Sequence, residues 1–165
     1  MADEDNNCNE VNNRDFRRRR IVRSDLNLSH RFLDSIPENG HLMNNINVHI
    51  VKKLNLAGNN ITVLPDAISA FANLVELDLS GNGLSNISTK IADLRLLKIF
   101  IAKNNNLQDL PKDFGNLKLL ENLNLGGNAF ESFVPQMFEL EALKILFLGA
   151  NRIDCIPKDI QELQK

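Results

Sequence analysis

One phrase of the chain, Leu77-Asp78-Leu79-Ser80-Gly81-Asn82-Gly83-Leu84, recurs every 23 residues, and this recurrence limits what the rest can fold into. One period forward, Phe100, Ala102, Asn105 and Leu107 fall at its marked positions. Two further periods give Leu123, Leu125, Asn128 and Phe130, then Leu146, Leu148, Asn151 and Ile153. One period backward gives Leu54, Leu56, Asn59 and Ile61. The asparagines Asn59, Asn82, Asn105, Asn128 and Asn151 therefore stand in register with no insertion. In the L-x-L core the two leucines project to one side of a short strand and the middle residue to the other. A lone strand cannot bury such leucines, whereas stacked copies bury them as a continuous column. Five amphipathic helices are the competing interpretation, but L-x-L-x-x-N breaks a helical stripe. Gly58, Gly81 and Gly127 precede the asparagine in three copies, and Asn104 and Ala150 do so in the others. Small or turn-forming residues thus occupy that position throughout.

The asparagine follows where the chain turns away from the strand. Its amide both donates and accepts, so it can satisfy backbone groups of its own turn and of the next one. The five residues are expected to form a structural ladder. The full pattern, L-x-x-L-x-L-x-x-N-x-L, resembles that of leucine-rich repeats. The resemblance implies an α/β solenoid, with a curved parallel sheet on the concave face and short helical or 3-10 turns on the convex face.

The regular repeats run over 48–70, 71–93, 94–116, 117–139 and 140–162. An irregular first repeat, 20–47, starts with Leu26-Asn27-Leu28; its Leu33, Ile36 and Pro37 precede Ile61, Leu64 and Pro65 by 28 residues. Arg31 takes the ladder position there, and the five additional residues are placed in a loop over 38–45. Leu64-Pro65-x-x-Ile68, Leu110-Pro111-x-x-Phe114 and Ile156-Pro157-x-x-Ile160 share one outer-turn pattern. Proline fixes φ and suits a turn or the start of a short helix, and the apolar residue three later packs inward. Ser88 replaces the proline in one repeat, and Val134-Pro135 sets it one position late in another, so that turn is expected to differ. Ile99 and Ile101 form a competing I-x-I register, but the period and Leu107 and Leu110 place Phe100 and Ala102 inside. Residues 1–19 read as a disordered arm, and 163–165 as the start of a truncated further repeat, with no cap over the core edge.

Arg17-Arg18-Arg19-Arg20 is either an import or anion-binding patch or a solvated arm. Five acids face six arginines over residues 1–23, which blunts the field and favours the solvated arm. The net charge of −2 argues against nucleic acid or a membrane surface as the main partner. No apolar run is long enough to span a bilayer. The two cysteines, Cys8 and Cys155, form no cysteine-rich cap, and Met1-Ala2-Asp3-Glu4-Asp5 is unlike a signal peptide. A cytoplasmic location follows as the expectation, with Arg17–Arg20 leaving the nucleus open. Cys8 and Cys155 are not expected to bridge.

No phosphate loop, metal-spaced Cys/His set or nucleophile elbow is present. His30, His41 and His49 lack ligand partners and are read as structural or exposed. The expectation is therefore no enzyme, no cofactor, no metal and no small-molecule substrate. Function falls to the outward strand positions. Ile99, Ile101, Ile145 and Phe147 put four large apolar groups on a face that should meet water, with Asn122 and Asn124 between them to hydrogen-bond a protein partner. The short L-P-x-x-I repeats resemble intracellular leucine-rich repeat proteins, including Ras-pathway scaffolds. Ala102-Lys103-Asn104-Asn105, Leu123-Asn124-Leu125-Gly126-Gly127-Asn128 and Leu26-Asn27-Leu28-Ser29 are most similar to the leucine-rich repeat-containing protein fifty-eight family. These resemblances imply a non-catalytic adaptor or scaffold; the alternative is the substrate-targeting part of a ubiquitin ligase, or of an enzyme with its effector domain beyond residue 165.

Overall fold

The computed structural model describes residues 24–36, 46–158 and 160. The N-terminal arm, Arg17–Arg20, Pro37, His41, the 38–45 loop and residues 163–165 lie outside the described residues. Six three-residue strands form one parallel sheet: β1 (Asp25–Asn27), β2 (Lys53–Asn55), β4 (Glu76–Asp78), β6 (Ile99–Ile101), β7 (Asn122–Asn124) and β8 (Ile145–Phe147), in that spatial order. Two shorter strands, β3 (Val63–Leu64) and β5 (Asn86–Ile87), pair separately.

The strand register is the sequence period itself. Leu54 lies beside Leu77, Leu77 beside Phe100, Phe100 beside Leu123, and Leu123 beside Leu146. Leu26 lies beside Leu54, so the irregular first repeat enters the sheet at its offset of 28. A shift by one residue would turn every leucine to water. Phe100 and Ala102 are both fully buried, which settles the competing I-x-I register. Phe100 meets Phe114 edge to face, with ring centroids 5.5 Å apart, tying the strand side of one repeat to its own outer turn.

The outer turns are 3-10 helices over Asp66–Ala70, Thr89–Asp93 and Lys112–Asn116. Pro65 and Pro111 sit just before the first residue of their helices, where a missing N–H costs nothing. Ser88 does the same job chemically, its hydroxyl accepting from the Lys90 amide at 3.0 Å. In the fourth regular repeat Pro135 starts an α-helical turn, Pro135–Phe138, so this outer turn does differ from its neighbours. Ile68 and Phe114 are buried, as the outer-turn pattern requires.

The last turn differs from the others. Leu146, Leu148 and Ile153 are only partly buried, and Ile156 is 73 % exposed. In a stack each turn is covered by the one after it; among the described residues nothing lies over this one.

Candidate functional site

The concave sheet face is built on two backbone devices repeated in each turn. The first is the asparagine ladder. Asn128 Nδ2 donates to Leu125 O at 2.9 Å in its own turn and to Ala102 O at 2.8 Å in the turn before, while Oδ1 accepts from Leu107 N at 3.0 Å. Asn59, Asn82, Asn105 and Asn151 repeat the arrangement. The expectation that the amide would reach the next turn is corrected: it reaches the preceding one. The reason is directional, because the preceding turn presents an unpaired carbonyl and amide towards the side chain. The residue before the ladder position has positive φ in all six turns, from +54° at His30 to +68° at Gly127. Glycine and asparagine enter that conformation at little cost, and His30 and Ala150 do so against their preference.

The second device was not recognised in the sequence. At the last strand position the side-chain oxygen accepts the amide two residues on: Asn27 from Ser29, Asn55 from Ala57, Asp78 from Ser80 and Asn124 from Gly126, at 2.8–3.1 Å. These Asx turns close the strand locally. Two turns lack the device, and their residues are Ile101 and Phe147. The recurring L-[N/D]-L pattern was the available signal; read as a turn, it marks both residues as exceptions.

The predicted patch residues come together. Ile99 pairs with Asn122 and Asn122 with Ile145; Ile101 pairs with Asn124 and Asn124 with Phe147. Ile145 and Phe147 are 45 % and 52 % exposed, whereas Ile99 and Ile101 are half-buried between neighbouring strands. The role expected for the two asparagines changes. Asn124 Oδ1 is engaged by Gly126, which leaves its amide nitrogen as the available group. Asn122 Oδ1 is buried without a hydrogen-bond partner among the described residues.

Charges frame this surface in pairs. Lys53 bridges Glu76 at 2.8 Å, and this carboxylate, by hydrogen bond and then by charge, holds the ammonium pKa above its usual value. Glu121 binds Lys144 at 2.5 Å and Lys98 at 3.1 Å, which lowers its carboxyl pKa. Among the described residues no group of His, Cys, Asp and Glu is placed to hold a metal, and no helix is long and apolar enough to cross a membrane. His30 and His49 are exposed; the His30 ring lies over Gly58, and a β-carbon added at Gly58 would approach it to 2.3 Å.

A family model described as a leucine-rich repeat region matches residues 25–164. The chain belongs to the leucine-rich repeat family. This leucine-rich repeat chain is similar to a leucine-rich repeat protein of Leptospira interrogans, with 32 % identity and a TM-score of 0.78, over 84 % of this chain and 34 % of that one. A TDR receptor structure aligns at 36 % identity and TM-score 0.63, over 77 % of this chain and 22 % of that one. An internalin of Listeria monocytogenes shares the fold at 24 % identity and TM-score 0.64, over 79 % of this chain and 36 % of that one. The chain thus spans about a third or less of these proteins' lengths. No curated protein matches it. Leucine-rich repeat domains are typically non-catalytic and mediate protein–protein interaction, with extended concave surfaces for the purpose.

Proposed function

We propose that this leucine-rich repeat protein is a non-catalytic adaptor or scaffold that holds a protein partner on the concave patch of Ile99, Ile101, Ile145 and Phe147. One observation carries the reading. Four turns close the strand with an Asn or Asp that accepts a backbone amide, and two give up that bond for Ile101 and Phe147. Exchanging a stabilising hydrogen bond for exposed apolar area is unfavourable for the isolated chain. It is favourable when a partner covers the area. The resemblance to the leucine-rich repeat-containing protein fifty-eight family fits this role. So does a cytoplasmic location.

The test is comparative affinity capture with three baits of matched folding: wild type, Phe147→Ala and Val63→Ser. Val63 is 50 % exposed and lies on the separate two-stranded sheet. Partners held by wild type and Val63→Ser should be lost from Phe147→Ala, as truncation of a binding hot spot costs about 2 kcal/mol or more. Equal capture by all three baits would remove the concave patch as the site.

A further inference from the structure

The two turns without an Asx residue leave more than apolar side chains behind. In the other turns the amide of the residue two further on points at the concave face, where the Asx oxygen receives it. At Ile101 and Phe147 no such oxygen exists, so the amides of Lys103 and Gly149 are directed at the same face without that acceptor. Two backbone donors therefore stand beside the two apolar exceptions. They lie two strands apart, about 10 Å.

The column holding those amides is otherwise small: Ala57, Ser80, Gly126 and Gly149. Gly149 is exposed, and a β-carbon added there would meet nothing within 4 Å. Lys103 is the exception, exposed and in no ion pair among the described residues. The lysines nearest in kind, Lys53, Lys98 and Lys144, are each matched to a glutamate. Asp78, the carboxylate beside Ile101 on the neighbouring strand, is turned to its own loop, accepting from both the amide and the hydroxyl of Ser80. Lys103 thus carries on one residue an unmatched ammonium and an amide N–H, a pair of donors suited to a carboxylate. On the Phe147 side, the bare Gly149 backbone lets a partner's main chain approach and place a carbonyl oxygen that accepts from its amide.

We infer that the concave patch takes an extended peptide segment that seats an acidic side chain on Lys103 and a large apolar side chain against Ile145 and Phe147. An extended chain rises about 3.3 Å per residue and both side chains add reach, so the acid and the apolar residue should be separated by roughly two to four positions. This inference rests on the patch being the partner site and adds the chemistry of the occupant.

A random peptide library displayed on phage, selected on immobilised wild type, Lys103→Ala and Phe147→Ala protein, tests it. All three proteins are first shown to have the same circular dichroism and unfolding midpoint. Wild type should enrich peptides with Asp or Glu at that spacing from a large apolar residue. Lys103→Ala should lose the acidic preference and keep the apolar one. A wild-type-selected peptide should bind Lys103→Ala about tenfold more weakly, the loss of one charge-assisted contact, and its Glu→Gln version should bind both proteins equally. Enrichment of apolar residues without an acid, or an acidic preference that survives Lys103→Ala, overturns the inference and leaves the patch standing. No enrichment on wild type beyond that on Phe147→Ala overturns both.

Discussion

Replacing Asn128 with alanine removes an amide that joins two turns in the interior of the stack. Three bonds of 2.8–3.0 Å go at once: those to Ala102 O, Leu125 O and from Leu107 N. The side chain is 8 % exposed, so the stranded backbone groups gain little water in return. A buried group left unpaired costs about 1–3 kcal/mol, and partial hydration of the space vacated by the amide offsets some of the sum. The expected loss is about 3 kcal/mol, or a fall of roughly 10 °C in Tm for a chain of this size. Urea unfolding followed by far-ultraviolet circular dichroism measures it, with the slope m checked for constancy. Asn151→Ala breaks the same three kinds of bond in a half-buried setting, and should cost about half as much. Asn128→Asp adds a test of mechanism. Its carboxylate would face the Ala102 and Leu125 carbonyl oxygens, so its folded pKa should lie above the unfolded value of about 3.9. A group raised in this way loses stability as pH climbs through the unfolded value. The variant should therefore approach wild type near pH 3.5 and fall away by pH 7. A loss below about 1 kcal/mol for Asn128→Ala, or an Asn128→Asp penalty independent of pH, would refute the ladder as a source of stability.

Leu125→Ala, in the buried column, should cost about 2–5 kcal/mol, whereas Phe147→Ala, 52 % exposed, should leave the unfolding midpoint nearly unchanged; the reverse order in chemical denaturation would mean the register is wrong. Leu148→Ala should fall between them, because Leu148 is only partly buried in the last turn. Ala150→Gly should raise stability by about 0.5–1 kcal/mol, since Ala150 holds φ at +57°; a lower Tm would contradict the strain argument. Glu121 should titrate below the ordinary glutamate value in an NMR pH series, with Lys144→Ala raising its midpoint more than Lys98→Ala does. Because this pKa is depressed in the folded state, whatever Glu121 contributes is present above the unfolded pKa and fades as pH falls through the folded one. High salt should weaken the effect.

The 23-residue spacing by itself determined which residues point inward, including the choice of Phe100 and Ala102 over Ile99 and Ile101. It could do so because strand alternation and the asparagine position are local, and because each repeat must agree with its neighbours in register. It also marked the turn position held by Gly58, Gly81 and Gly127, since a positive φ selects glycine. It brought the candidate patch together too, because residues one period apart become strand neighbours. What only the tertiary structure decided were relations between turns. The ladder amides bond residues 21 to 31 positions away, and which neighbour they reach depends on where unpaired carbonyls point. The half-burial of Ile99 and Ile101 against the exposure of Ile145 and Phe147 follows from how adjacent strands crowd each side chain. The same holds for Ile156, whose outer-turn motif matches its buried counterparts and which lies open for want of a turn above it among the described residues. Asn124 reads in sequence as a polar contact for a partner, and its oxygen proves to be held by Gly126. A hydrogen bond is settled by distance and direction, which the order of residues does not carry.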